Sequence, residues 1–468
     1  MQPRGPAVRT LLLAWLTLSA AAAQAAGTSL VGAWRAAVAH DPVLAAAVAQ
    51  REAGRARGSE GRALWLPTLA ASASTGRNDL SSDTQGAVFA APGFASTNGV
   101  EFRTSVNGGT ATRWAVMAEQ PLFDTARLAD SRAQSDAARV AEAQYHVAEQ
   151  ELMLRTARAY FEVLNARDQL QSLVRLGAAA EKARAEGQAR YEMGDIPVTG
   201  VREAQANADT IAVQELDARS ALTLAEAAYS ELTGMDAADL RALPEAATAQ
   251  MPEPEPLETW TKRAIAGSPA LAIRQLAVAT ASAQVSRYGA LSSPRLSLVA
   301  QIGRDSLHGN GDYGSSEITG RQASIGLQAS VPLFTGGMRT AQRREAKALL
   351  QQAEAELDSA RQQLRQQAHA AWLRLTTAAA RVRALQRLRA SAASRRDATG
   401  LGAEIGDRST LDLLNAEADY QRAGADFQHA QSEWLLAGLQ LKALAGELSE
   451  VDLEQIDRRL DADPAAAK

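Results

Sequence analysis

The chain has 468 residues, 46% of them hydrophobic and 22% charged, with a formal net charge of −4 and no cysteine. The lack of cysteine excludes disulfides, thiol catalysis, thiolate metal sites and N-terminal lipidation at a Cys, and the acidic balance argues against a nucleic-acid surface. Beyond the first residues no uninterrupted apolar run reaches the ~18 residues a spanning helix needs, so a membrane crossing would have to be made by strands.

Residues 1–25 read as a cleaved export signal: Arg4 and Arg9, an apolar run from Leu11 to Ala23, then the small-x-small site Ala23-Gln24-Ala25. A mature chain starting at Ala26 loses Arg4 and Arg9, which moves the charge from −4 to −6. The remainder of the chain is written twice. Asp41-Pro42 through Leu66-Pro67 recurs as Ser268-Pro269 through Ser293-Pro294, with the prolines 25 apart in both copies. Pro121-Leu122-Phe123 returns as Pro332-Leu333-Phe334, a shift of 211 that holds to Leu164 and Leu375, and Gly194-Asp195 through Thr233-Gly234 returns at a shift of 212 as Gly406-Asp407 through Ala445-Gly446. The repeat predicts an internal duplication: a first structural unit over 26–250, a second over 251–450, and a tail over 451–468 of which Asp461–Lys468 reads as disordered.

In the first copy, Leu69–Gly76 and Trp114–Leu122 alternate weakly and predict barrel strands near 67–78 and 112–123. Thr125–Leu176 has no Gly or Pro and predicts a long helix, which turns and returns as Thr199–Leu232. Pro244, Pro252, Pro254 and Pro256 mark the linker between copies. In the second copy Leu296, Leu298, Ala300 and Ile302 alternate with Ser297 and Gln301. The odd positions Ala323, Ile325, Leu327, Ala329, Val331 and Leu333 alternate with Gln322, Ser324, Gln328 and Ser330. These predict strands near 294–304 and 321–334, of the ~9 to 11 residues that a tilted strand uses to cross an outer membrane. Met338–Thr399 is a run of 62 residues without Gly or Pro. Leu350, Leu357, Leu364 and Ala371 lie on a heptad step in it, with Ala353 and Ala360 between, as in a closely packed left-handed coiled coil. Its return helix is predicted over Thr410–Leu444. Pro67, Pro121, Pro294 and Pro332 each stand where a helical pattern meets a strand pattern, which suits a residue lacking a donor for either interior. Phe123 and Phe334 beside them fit either an aromatic girdle or ordinary packing at a bend. Asn78–Thr112 and Gly303–Gly320, rich in Gly, Ser, Asn and Asp, read as exposed loops.

Four strands do not close a barrel, since the smallest membrane barrels have ~8 and an open edge in lipid leaves backbone groups unpaired. The expectation is therefore a mixed α and β membrane protein. Three copies, with four strands per chain, would form a 12-stranded outer-membrane β-barrel around an aqueous lumen, continued by a long α-helical coiled-coil periplasmic tunnel.

The chain also resembles the TolC family of trimeric outer-membrane channel-tunnels over essentially its mature length. The matching segments are Ala159-Tyr160-Phe161-Glu162-Val163-Leu164-Asn165-Ala166, Arg190-Tyr191-Glu192-Met193-Gly194, Pro332-Leu333-Phe334-Thr335-Gly336-Gly337-Met338 and Gly406-Asp407-Arg408-Ser409-Thr410-Leu411-Asp412-Leu413-Leu414-Asn415-Ala416. The absence of an N-terminal Cys places the resemblance with the type I secretion branch rather than the lipid-anchored drug-efflux branch. The resemblance implies a passive exit channel in the cell outer membrane, in contact with outer-membrane lipid and extending into the periplasm. It implies a homotrimer that works with a periplasmic membrane-fusion adaptor and an inner-membrane ABC transporter and exports a toxin or protease. Multidrug efflux with an RND pump is the alternative within the family, and a soluble periplasmic coiled-coil adaptor without a barrel the alternative outside it.

The resemblance also assigns residues. Gly194 with Asp195 and Gly406 with Asp407 match the turns where the adaptor docks, and such glycines are equally what a helix end needs. Asp412 takes one position of an acidic ring that narrows the entrance and favours cations, with Asn415 where a second acid stands in the family. Ser409-x-x-Asp412 also fits a capping box. Arg408 matches an arginine that helps hold the tip closed through links to a neighbouring protomer, but its acidic partner falls at Gly200 beside Thr199, and a surface arginine lying along its helix is the other reading. No cofactor is implied. Gly309-Asn310-Gly311-Asp312-Tyr313-Gly314 fits a dinucleotide pattern but opens no helix, and His40, His146, His308, His369 and His429 lack ligand spacing, so neither metal binding nor catalysis is expected.

Overall fold

The computed structural model describes residues 28–244, 251–289, 294–311, 314–405 and 407–460. The predicted export signal, Gly406 and the Asp461–Lys468 tail lie outside the described residues. The elements in order are α1 (Leu30–His40), α2 (Pro42–Ala63), β1 (Thr68–Phe89), β2 (Thr97–Asp124), α3 (Thr125–Glu192), α4 (Val198–Thr233), α5 (Leu257–Gly267) and α6 (Pro269–Arg287). They continue as β3 (Arg295–Gly311), β4 (Gly314–Ser330), α7 (Met338–Glu404), α8 (Thr410–Leu444) and α9 (Glu450–Leu460). Among the described residues no single helix is long and apolar enough to cross a membrane. The bent pair α5–α6 passes by length and composition, but Trp260, Ala264, Leu271, Leu276 and Ala283 are buried within the protein.

Two compact units form, and each draws on both sequence copies. The first takes the described residues of Met1–Glu52, Glu142–Arg274 and Glu356–Lys468; the second takes Ala53–Ala141 and Gln275–Ala355. The halves of the repeat are thus not the compact bodies, because each copy's apolar faces are covered by the other copy.

In the second unit the four strands form one antiparallel sheet in the order β1-β2-β3-β4. Its registers include Ala71↔Val116, Val116↔Ile302 and Ile302↔Ala323. This arrangement gathers the alternating apolar positions on one face and leaves Ser72, Gln301, Gln322 and Ser324 on the other. The strands run well past the predicted limits. Asn78–Thr112 and Gly303–Gly320, read as loops, are mostly continuous hairpin ladder. Their Gly, Ser and Asn have low strand propensity, yet each added pair satisfies backbone groups along an existing ladder. Beside the sheet Gly54, Gly58 and Gly61 of α2 face Ala141, Ala138 and Gln134 of α3. A Cβ at Gly54 would stand 2.3 Å from the Ala141 methyl, so the backbones approach where only glycine fits. Arg287 pairs with Asp130 in the same unit.

The first unit holds the main core, in which Tyr160, Phe161, Tyr229, Trp434, Leu435 and Leu441 are buried. The Tyr160 hydroxyl donates to the carbonyls of Thr28 and Arg241, at 3.1 and 3.0 Å. Burial, and next the charge of Asp457, push its pKa up, so it stays a donor. The stretch read as a tail from residue 451 carries α9 instead. Its Leu453, Ile456 and Leu460 enter the core, while Asp457 accepts from Leu30 N and Val31 N at 2.7 and 3.0 Å. Only three apolar contacts in a short acidic helix announce it, too few to separate it from a solvated tail by pattern.

The prolines divide. Pro67 and Pro294 stand immediately before β1 and β3, as expected of joints. Pro121 does not: it lies inside β2, paired with Ser297 at a bulge, and the joint falls at Asp124. There the Asp124 carboxylate accepts from Ala126 N at 2.8 Å and starts α3. Pro332 sits in the connector between Ser330 and Met338.

Candidate functional site

α3 extends beyond the predicted Leu176, through Gly177 and Gly187, to Glu192. At 68 residues it rises about 100 Å. Its end is a Schellman turn: Gly194 has φ +84°, Gly194 N donates to the Tyr191 carbonyl at 2.9 Å, and Asp195 N donates to the Arg190 carbonyl at 2.9 Å. α4 then begins after Pro197, whose fixed φ suits a helix start. Thr199 and Gly200 lie in its first turn, where Gly200 N donates to the Pro197 carbonyl at 3.1 Å.

The second turn closes differently. Asp407 N and Arg408 N both donate to the Gly402 carbonyl, at 2.8 and 3.1 Å. Ser409 then caps α8 with a full capping box: Asp412 N donates to Ser409 Oγ at 3.1 Å, and Ser409 N donates to Asp412 Oδ2 at 3.0 Å. Ser409 Oγ is also 2.9 Å from Asp412 Oδ2. These donors from Ser409, backbone first, and the nearby Arg408 hold the Asp412 carboxyl below the usual aspartate range. Asp412 remains exposed and ionised, and Asn415, one turn on, is exposed beside it. The cap and an outward carboxylate therefore coexist in one residue. Arg408 lays its stem on Gly402, where a Cβ would stand 2.7 Å from Arg408 Cγ, and among the described residues it forms no ion pair. Nor, among the described residues, does a hydrogen bond join Arg408 to Thr199 or Gly200, so a single chain does not assemble that lock.

Behind the tips the two helical hairpins are joined by contacts that the sequence did not announce. Leu176, Ala180 and Ala183 of α3 pack with Ile211 of α4 and Leu414 of α8. Arg175 of α3 donates to Gln421 of α8 at 3.1 Å, while within the second hairpin Arg395 of α7 pairs with Asp419 of α8 and the Arg396 guanidinium lies over the Tyr420 ring, 4.3 Å from its centroid. Their only sequence signal is an Arg on one helix facing an acid, amide or aromatic on α8, visible once the hairpin register is known. Among the described residues no group of His, Asp and Glu is placed to hold a metal ion.

The comparisons with known proteins bear on this arrangement of a four-stranded sheet and two long helical hairpins. The profile of the outer membrane efflux protein family matches residues 34–235 and 260–447, one segment in each sequence copy. The chain belongs to the outer membrane efflux protein family. Among relatives, this efflux protein is 30% identical to the alkaline protease secretion protein AprF of Pseudomonas aeruginosa over 433 residues, 91% of this chain and 86% of AprF. It is 26% identical to the outer membrane protein TolC of Escherichia coli over 458 residues, 96% of this chain and 88% of TolC. Its fold matches the crystal structure of the Campylobacter jejuni CmeC outer membrane channel with a TM-score of 0.67 at 16% identity, over 93% of this chain and 90% of that one. The efflux protein is thus a Gram-negative outer-membrane channel that reaches into the periplasm, its sheet supplying barrel strands and its hairpins the tunnel wall.

Proposed function

We propose that three copies of this chain form the outer-membrane exit channel of a type I secretion system. The channel passes a protein such as an RTX-type toxin or protease from the cytoplasm to the exterior. The sheet order leaves both β1 and β4 as edges, and edges exposed to lipid would leave a row of backbone groups unpaired. Closure with two further copies gives twelve strands, apolar outward and polar toward a wet lumen. The observation that carries the cargo class is the similarity to AprF across 91% of this chain, since AprF is named for alkaline protease secretion.

The partners are a membrane-fusion adaptor, docking at Gly194, Asp195, Gly406 and Asp407, and an inner-membrane ABC transporter that supplies the energy this chain has no P-loop to supply. Three Asp412 carboxylates around the axis concentrate cations at the entrance, more weakly than a double ring because Asn415 is neutral. Opening separates contacts near Arg408, Thr199 and Gly200. Deleting the gene tests the cargo class when exported proteins and drug susceptibility are tracked side by side. Loss of one large secreted protein with unchanged drug tolerance is the expected result. Drug hypersensitivity with normal secretion would assign the channel to multidrug efflux, and no change in either would overturn the conduit itself.

A further inference from the structure

On the lipid-facing side of the sheet, one cross-strand row reads Ala73, Trp114, Arg304, Arg321: the register pairs Ala73 with Trp114, Trp114 with Arg304, and Arg304 with Arg321. Two arginines therefore oppose each other directly, a placement that is unfavourable without a counterion between them. Neither forms an ion pair with a described residue, whereas Arg103 pairs with Asp83 at 2.7 Å and Arg113, on the lumen face, pairs with Asp305. The nearest acid on this face of β4, Glu317, is four residues on, about 13 Å along the strand, and accepts from Thr319.

The height of the row is set by the strand. The helix-joined ends of the strands face the periplasm and the hairpin tips face outward. From Ala329, near the periplasmic end, to Arg321 is eight residues, about 26 Å along the strand and about 20 Å along the membrane normal at the usual barrel tilt. The rows between are apolar and exposed, with Ile325 at 75% and Leu327 at 67%. Beyond the arginines the same face turns polar, with Thr75, Thr112, Ser306 and Thr319. Arg304 and Arg321 thus stand at the outer boundary of the apolar band, beside Trp114, where lipid headgroups lie. Directly beneath them a shallow groove is floored by Ala118, Ala300 and Ala323 and walled by Leu69, Ile302 and Ile325.

We infer that Arg304 and Arg321 clamp a phosphate of an outer-leaflet glycolipid whose acyl chain lies in the alanine-floored groove. Guanidinium is the cation that binds phosphate through paired donors, and a phosphate between the two side chains removes their repulsion. The inference rests on the outer-membrane location and not on the cargo class. A trimer would carry three such sites around the barrel.

The test uses the full chain purified in lipid-free detergent, with bisphosphorylated lipid A, dephosphorylated lipid A and inorganic phosphate as separate probes. Retained lipid and the thermal midpoint are the readouts. Bisphosphorylated lipid A is expected to bind and raise the midpoint, the dephosphorylated form to bind at least about tenfold more weakly, and inorganic phosphate at the same concentration to do neither. The double variant Arg304→Gln, Arg321→Gln is expected to lose the phosphate-dependent part of binding. Arg321→Glu offers Arg304 an internal counterion, so it keeps the sheet folded and also loses that binding. Wild-type binding by either variant overturns the assignment, as does equal binding of dephosphorylated lipid, which leaves only the groove. An equal effect of inorganic phosphate reduces the site to a general anion site. A double variant that melts lower than wild type before any lipid is added shows that the arginines hold the protein together rather than the lipid.

Discussion

Replacing Asp457 by Ala tests whether the last described helix holds the start of the chain in place. The first turn of α1 has amides with no partner in the helix, and two of them, Leu30 N and Val31 N, donate to Asp457 at 2.7 and 3.0 Å. Gly32 N is served separately by Ser29 Oγ at 3.0 Å. Leu30 and Asp457 are both buried, so the alanine leaves two donors that water does not reach. Each costs about 1–3 kcal/mol, or about 2–6 kcal/mol together, and relaxation brings the expected loss to about 3 kcal/mol. At about 1.36 kcal/mol per tenfold, amide exchange at residues 30–31 should quicken about 150-fold, with Asp457→Asn intermediate because one oxygen remains. Peptide-level hydrogen exchange on the purified protein measures this directly. Exchange within about threefold of wild type, in a variant that still folds, would refute the reasoning, since an unpartnered buried amide cannot keep its protection.

At the tip, Asp412→Ala should abolish cation preference and polyvalent-cation block in bilayer conductance. Because the folded carboxyl is held low, wild-type selectivity should persist as the pH falls to about 4 and fade only below it, whereas Ser409→Ala removes a donor and should move that loss to higher pH. At Asp41, burial raises the pKa but the Arg155 bond, at 2.6 Å, and the Leu44 amide outweigh it, leaving the net shift downward. A depressed carboxyl stabilises the fold fully above about pH 4 and loses that contribution as the pH drops through its folded pKa, so the melting difference between wild type and Asp41→Asn should be constant above about pH 5 and shrink below about pH 4. Gly194→Ala should cost about 1–2 kcal/mol through its left-handed φ alone, since a Cβ there meets nothing within 4 Å, and should speed proteolytic nicking at the first tip. Gly200→Ala sits in a helical turn, where the nearest atom would be 3.5 Å away, and should leave nicking unchanged or slower.

Much of the architecture was legible because it follows from period and covalent chemistry. Met338–Thr399 had to be a helix without Gly or Pro to interrupt it, and it is, extended to Glu404. Thr410–Leu444 begins and ends where its cap and apolar run place it. The alternation around Ile302 and Ile325 could satisfy only a two-faced sheet. Ser409 and Asp412 carried their capping box in their spacing. Such signals act between residues a few positions apart, so the sequence by itself determined them. Tertiary structure alone decided the rest, because the deciding partner is remote in the chain. Strand pairing carried the ladder through Gly- and Asn-rich stretches that read as loops, and the core drew in α9 through a contact between residues 427 positions apart. Only the sheet register set Arg304 opposite Arg321, two side chains that nothing in the linear order brings together.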